Sequence, residues 1–183
     1  MTLIEQQIQE QVSIGHALAS DAQAIAKLGS KIFADSFGIA IPDDALAGYL
    51  SNTYSSEAMA LEMAKPQITT FVARDPAGRV VGFVQLVQGA TDPAVDGDPD
   101  THAELQRLYV DTSAHGKGIG TKLVAAVEAA ARSGGFKKLW LTVWSKSEKG
   151  QRLYSRLGFV KTGKTEYPFR TVAHIDYVFV KDL

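Results

Sequence analysis

The sequence predicts a single α/β domain, and three observations predict it. The chain has 183 residues, against roughly 100–200 for one domain, with no repeat, linker or low-complexity tract to divide it. Apolar residues recur at helical spacing up to Pro66 and then alternate from Ile68 to Gln88. From Glu104 onward, strand-like and helix-like stretches take turns, as they do in crossover units.

Residues 1–11 are rich in Gln and Glu, with Leu3, Ile4 and Ile8 near helical spacing, and read as an extra N-terminal helix or an extension. A first strand covers 12–18. Ser20 and Asp21 start a helix carrying Ile25, Leu28, Ile32, Phe33 and Phe37 along one face, and Gly38 and Pro42 end it. A second helix covers 43–50. A third starts at Ser55 and Ser56 and stops ahead of Pro66, because the residue before a proline avoids helical geometry. Residues 68–74 and 80–88 are strands rich in β-branched and aromatic residues, joined as an antiparallel hairpin by Asp75-Pro76-Ala77-Gly78. Residues 89–100 hold Asp92-Pro93, Asp96-Gly97 and Asp98-Pro99, the marks of an acidic surface loop. The remainder reads as a strand over 103–110, a helix over 118–132 closed by Gly134-Gly135, a strand over 138–143, a helix over 148–157, and strands over 158–162 and 173–180.

Composition narrows the function. Nineteen Lys and Arg against twenty Asp and Glu leave a net charge of −1 and a pI near 6.4, so no basic excess exists to displace counterions from a nucleic acid. The absence of cysteine removes disulfides, thiolate metal ligands and a cysteine nucleophile together. His16, His102, His115 and His174 lack the i, i+4 partner of a helical zinc pair, so no metal is expected. The N-terminus has neither the basic head nor the apolar run of an export signal, and the apolar stretch 123–131 is too short for a bilayer. A cytoplasmic protein without a membrane partner is expected.

The most informative segment is Glu104-Leu-Gln-Arg-Leu-Tyr-Val110-Asp-Thr-Ser-Ala-His115-Gly116-Lys117-Gly118-Ile119-Gly120-Thr121. A strand ends, glycines follow at alternate positions, and an apolar helix begins among them. Glycines leave backbone N–H groups uncovered and a helix start adds partial positive charge, so the turn suits a phosphate or diphosphate. Lys117 adds a full charge. Such turns also occur without a ligand. A dinucleotide fingerprint requires Gly or Ala where Thr121 stands, and a Walker A loop requires Ser or Thr where Gly118 stands.

Here the chain resembles the GNAT superfamily of acyl-CoA-dependent N-acetyltransferases, whose signature Arg/Gln-x-x-Gly-x-Gly/Ala reads His115-Gly116-Lys117-Gly118-Ile119-Gly120. His115 departs from the usual first residue. Leu108-Tyr109-Val110 is similar to the family strand whose main chain pairs with the pantetheine arm. The stretch from Trp140 to Gly158-Phe159 looks like the family's second half, with Ser147 where Asn is usual and Gly150 where Ala is usual. The resemblance implies a mixed, twisted sheet of about six or seven strands with helices on both faces, splayed near Val110. It implies acetyl-CoA as co-substrate, held by Leu108, Tyr109 and Val110, by His115, Gly116, Lys117, Gly118, Ile119, Gly120 and Thr121, and by Ser147. The reaction it implies is direct acetyl transfer to an amine. A non-catalytic acyl-CoA sensor on the same fold is the rival reading.

Tyr154 and Glu104 are the catalytic candidates. Residues 147, 150 and 154 share one helix face at spacings of three and four, while Leu153 and Leu157 face the core. A phenol, with an ordinary pKa near 10, stays protonated at neutral pH and can protonate a departing thiolate; the alternative is a packing tyrosine. Glu104 alternates with Gln106, Leu108 and Val110 onto one strand face, and its carboxylate can take the ammonium proton. Several family members carry their base there; the alternative is a surface charge paired with Arg107. On the acceptor side, Phe33-Ala-Asp-Ser-Phe37-Gly38 and Tyr49-Leu50…Tyr54-Ser55-Ser56-Glu57 look similar to bacterial polyamine (spermidine/spermine) acetyltransferases, although Gln106 stands where that subgroup often has an acid. Asp35, Asp43, Asp44 and the 92–100 loop would attract a polycation. Phe33, Phe37, Tyr49 and Tyr54 read first as core, and Tyr167 and Phe169 as a flap. The expected partner is a small-molecule amine, with a homodimer left open.

Overall fold

The computed structural model describes residues 12–38, 41–169 and 172–183. The helix or extension expected over 1–11 lies outside them, as do the side chains of Phe37, Tyr167 and Phe169. The elements are β1 (Ser13–His16), α1 (Ala22–Phe37), α2 (Asp43–Thr53), α3 (Ser56–Met63), β2 (Ile68–Arg74), β3 (Val80–Gln88), β4 (His102–Val110), α4 (Ile119–Ser133), β5 (Lys138–Trp144), α5 (Glu148–Arg156), β6 (Val160–Phe169) and β7 (Val172–Asp182). Seven strands form one mixed sheet in the order β1-β2-β3-β4-β5-β7-β6. The β4–β5 pair is parallel, and β1–β2, β5–β7 and β6–β7 are antiparallel.

The largest departure from expectation is β6. Its sequence predicts a stop near Thr162, yet it pairs along β7 as far as Phe169↔Val172, with a register shift between Lys161 and Gly163. Lys161, Thr162, Lys164 and Glu166 are exposed, and none of the described side chains of the strand is fully buried, so this stretch carries no apolar alternation for the sequence to show. The segment read as a flap therefore has strand backbone, with Tyr167 opposite His174.

The described residues up to Val84 pack with Arg107–Ala126 as one compact unit, and Gln85–Gln106 packs with Val127–Leu183 as another. In the first, α1 buries Ala22, Ile25, Ala26 and Leu28 at helical spacing, against Tyr54, Met59, Val72 and Phe83. Asp21, itself buried, ties the start of α1 to the sheet: it accepts the Leu18 N–H at 2.7 Å and pairs with Arg74 of β2 at 2.6 Å. Ser55 caps α3 by accepting the Ala58 N–H at 3.1 Å. Gly29 is where α1 meets an aromatic ring. A Cβ there would lie 2.5 Å from Cε1 of Tyr54 and 3.3 Å from Cζ of Phe83. Overpacking of this kind costs about 1–3 kcal/mol, more than the gain of up to about 1 kcal/mol from replacing a helical glycine. Gly29→Ala is therefore expected to lower Tm by a few degrees in a thermal melt; an unchanged or raised Tm would show that the ring moves aside without cost.

In the second unit β5 lies between β4 and β7, and Leu139, Trp140, Leu141 and Val143 are all buried. The 89–100 loop is drawn down onto the sheet. The Trp140 indole donates to the Ala90 carbonyl at 2.8 Å, and Val95 packs with Trp140, Val178 and Val180. His102 is fully buried, with Nε2 3.1 Å from the Asp96 carbonyl and Nδ1 3.1 Å from Oγ1 of Thr91. The loop's acids are largely engaged: Asp92 accepts from the Ala94 N–H and the Thr165 hydroxyl, Asp96 pairs with Lys138 at 3.0 Å, and Asp98 accepts the Asp100 N–H. Most of residues 91–100 are nonetheless exposed, as expected of a surface loop. Among the described residues no helix is long and apolar enough to cross a membrane.

Candidate active site

Strand β4 carries the first feature. Among the described residues Arg107 alone, glycines aside, has a positive φ, at +54°. A left-handed residue within a strand resets the alternation of side chains. Glu104 and Gln106 therefore do not continue onto a common face with Leu108 and Val110, as the sequence suggested. Arg107 is held in this conformation by its side chain. Its guanidinium pairs with Glu62 of α3, both side chains being about 15% exposed, and lies 5.5 Å from the centroid of the Tyr54 ring. Burial works to lower the Arg107 pKa, and the Glu62 carboxylate outweighs it, leaving the pKa raised. No signal in a single sequence links Glu62 to Arg107, and the pair was not foreseen.

Around this pair stands an aromatic cluster. The Tyr54 and Tyr109 hydroxyls are 3.1 Å apart. Burial pushes both phenols above their ordinary pKa, so both stay protonated at neutral pH. Tyr109 meets Phe83 edge-on at 5.4 Å, and Tyr49 stacks on Phe33 at 4.5 Å. Tyr54 is core, as expected, while Tyr49 reaches the surface at 38% exposed.

The turn after β4 is built locally. Asp111 accepts the Ser113 hydroxyl at 2.7 Å and the Ser113 N–H at 2.9 Å, and these two bonds, the hydroxyl's first, hold its carboxyl below the usual range. His115 Nε2 lies 3.0 Å from the Val110 carbonyl. A carbonyl only accepts, so Nε2 carries the proton. The imidazole at the departing signature position thus ties the loop back to the strand end. Gly116 and Gly118 have φ of +78° and +71°, with nothing within 4 Å of where a Cβ would stand. Ile119, 2% exposed, anchors the start of α4, and the N–H of Lys122 bonds back to the Gly118 carbonyl at 3.1 Å. The amides of Ile119, Gly120 and Thr121 precede that bond and find no acceptor within the helix. Open space, outward amides and Lys117 together fit a diphosphate.

In the second unit, Glu104 is half-buried at the last position of the β4–β5 register, opposite Trp140. Ser147 precedes α5 as its N-cap residue rather than lying on its face. It still neighbours Gly150, where a Cβ would come within 2.9 Å of both Ser147 Oγ and Val143 Cγ2. That contact accounts for glycine where the family usually has alanine. Tyr154 is 8% exposed and meets Phe159 edge-on at 5.8 Å. Leu153 and Leu157, expected to face the core, are only half-buried. On this nine-residue helix the tyrosine ring takes the inward position. Among the described residues no group of three or more His, Asp or Glu is placed to hold a metal.

The mixed sheet, the left-handed residue in β4 and the glycine turn into α4 define an acetyltransferase fold. The chain belongs to the Acetyltransferase (GNAT) family, whose model matches residues 35–159, and it is an acyltransferase. It is 28% identical over 164 residues to an uncharacterised N-acetyltransferase of Mycobacterium bovis, covering 90% of this chain and 99% of that one. It is 32% identical over 119 residues to the IAA acetyltransferase of Azospirillum brasilense, covering 63% and 72%. Among solved structures, the PaiA N-acetyltransferase of Thermoplasma acidophilum in complex with coenzyme A superposes with a TM-score of 0.71 at 18% identity, covering 94% of this chain and 99% of that one. An N-acetyltransferase from Staphylococcus aureus Mu50 gives 0.73 at 19%, covering 94% and 98%. At these identities the structural likeness is one of fold.

Proposed function

We propose that the protein transfers the acetyl group of acetyl-CoA directly to the nitrogen of a small-molecule amine. The observation that carries this reading is the glycine turn, where open, left-handed Gly116 and Gly118 lead into the uncovered amides of α4. The main chain of Leu108, Tyr109 and Val110 would hold the pantetheine arm. The amides from His115 to Thr121, with Lys117, would hold the diphosphate, and Ser147 would add a hydroxyl contact. Bound acetyl-CoA supplies an acyl thioester. Glu104 accepts a proton from the ammonium, and the Tyr154 hydroxyl gives one to the departing sulfur. One N–C bond forms and one C–S bond breaks; the nitrogen gives up its second proton as the amide forms, which restores the Tyr154 phenol, and Glu104 passes its proton to solvent. The coenzyme A bound by the Thermoplasma neighbour supports this reading.

The same reading takes the chain as one catalytic domain over 1–183, working in the cytoplasm. A polyamine acceptor is the narrower form of the proposal. The two acids in the first turn of α2, Asp43 and Asp44, are the local negative charge that supports it; Asp35 of α1 pairs with Lys31 at 2.9 Å. A steady-state screen with acetyl-CoA against polyamines, amino acids, aminoglycosides, peptides and indole-bearing acceptors tests the reaction. Binding of acetyl-CoA without turnover across the panel would favour the sensor instead. The loop has its own test. Gly118→Val places a β-branched residue in a left-handed conformation and fills the space before the amides. Calorimetry is expected to show acetyl-CoA affinity reduced roughly tenfold or more, a loss of about 1.4 kcal/mol. Unchanged affinity in a folded variant would remove the loop from the site.

A further inference from the structure

Two local patterns are broken at one place in the first unit. On α3 the fully buried Met59 marks the inward face. Leu61 is 72% exposed, whereas the side chain of Glu62, one turn on from Met59, is only 15% exposed. An apolar side chain thus faces solvent and a carboxylate faces in. On β4, Arg107 holds φ at +54°, a conformation that a strand residue with a long side chain does not ordinarily take. Each departure is unfavourable by itself, and the two meet in the Glu62–Arg107 pair. Stability alone is a poor reason for such a pair, because apolar residues of similar volume serve as well or better in a half-dry site.

The chain just beyond Arg107 is anchored from its β3 side. The Asp111 N–H donates to the Val81 carbonyl at 2.8 Å, and a Cβ at Gly82 would stand 3.1 Å from the Tyr109 carbonyl oxygen. The Tyr109 hydroxyl meets that of Tyr54, whose ring also lies against the Arg107 guanidinium. With 109–111 held in this way, the angle at Arg107 decides how the chain enters them, and so which way the main-chain groups of Leu108 point. We propose that Glu62 is a positioning residue for acetyl-CoA: through Arg107, its carboxylate fixes the left-handed turn that presents the main chain of Leu108, Tyr109 and Val110 to the pantetheine arm. This rests on the acetyl-CoA reading above and adds to it a residue of α3, outside the strand and the glycine turn that hold the ligand in that reading.

The test is calorimetry of acetyl-CoA on the full chain as wild type, as Glu62→Met, and as the double variants Glu62→Met, Arg107→Gly and Glu62→Met, Arg107→Val. Circular dichroism and a thermal melt follow the fold of each. Methionine keeps the length of Glu62 and removes both of its acceptors, so the single variant is expected to bind acetyl-CoA roughly tenfold more weakly. Both double variants lack the two charges, and neither leaves a charge stranded in the interior. They differ in the angle that residue 107 adopts: glycine takes a positive φ freely, and a β-branched valine does not. The glycine form is expected to regain most of the wild-type affinity, and the valine form to stay roughly tenfold or more below it. A role for Glu62 in stability alone would move Tm and leave these two affinities alike. Unchanged affinity in a folded Glu62→Met would overturn the proposal. A glycine form that fails to fold, or that binds no better than the valine form, would overturn it equally, because the turn by itself would then not suffice; this comparison decides even where the single variant does not fold. A wild-type protein that does not bind acetyl-CoA would instead overturn the reading on which the proposal rests.

Discussion

Tyr154→Phe is expected to lower kcat by roughly 10²–10⁴ while leaving acetyl-CoA affinity nearly unchanged. The substitution removes one oxygen and nothing else. The ring remains 8% exposed and edge-on to Phe159, so the packing that seats it against the sheet is kept. Loss of a hydroxyl's hydrogen bond costs about 1 kcal/mol, which for a chain of this length is about 2–4 °C in Tm. The kinetic and thermal effects therefore separate clearly. A thiolate is a fair leaving group, so the lower end of the range is reached where water supplies the proton in the phenol's place. Full activity in the Phe variant would return Tyr154 to a packing role. A loss of activity matched by a collapse in Tm would mean that the substitution had damaged α5 rather than the chemistry.

What was legible in the sequence is what short-range periodicity and turn chemistry can encode. The glycine turn is the clearest case, because Gly116 and Gly118 do take the left-handed conformations that make glycine necessary. The limits of α1, β2 and β3 followed from caps, breakers and spacing in the same way. The kink in β4 was not legible, because the residue that turns left-handed there is an arginine, fixed by a glutamate in α3 that lies distant in sequence. Reading alternation straight through 104–110 was the natural result. The orientation of α5 was misread for a related reason. Hydropathy favours Leu153 and Leu157 as the inward residues, but a flat ring with Phe159 to meet buries deeper on so short a helix. The acidic loop was legible as a surface loop, and most of 91–100 is exposed; its composition carries no sign of the bonds it makes to Trp140, His102 and Lys138, which other segments supply.

Glu104→Gln is expected to slow turnover most at low pH and to recover as pH rises. The sign follows from the acceptor. An alkyl ammonium with a pKa near 10.4 is only about one part in 10³ free amine at pH 7, so an enzyme that removes the proton itself gains up to that factor over one that waits for free amine. The glutamine side chain keeps the size of Glu104 and its capacity to hydrogen-bond, but accepts no proton at neutral pH. The variant's rate should then climb about tenfold per pH unit with the free-amine fraction. The wild-type rate should level off once the carboxylate is ionised, and the gap between the two should close toward the substrate pKa. Acetyl-CoA affinity should stay nearly intact, because the glycine turn and the β4 main chain are proposed to hold that ligand. A uniform loss at every pH would assign Glu104 to positioning the amine rather than deprotonating it. No loss at any pH would leave it a half-buried charge at the last paired position of β4 and β5, with the proton passing to water or to another side chain.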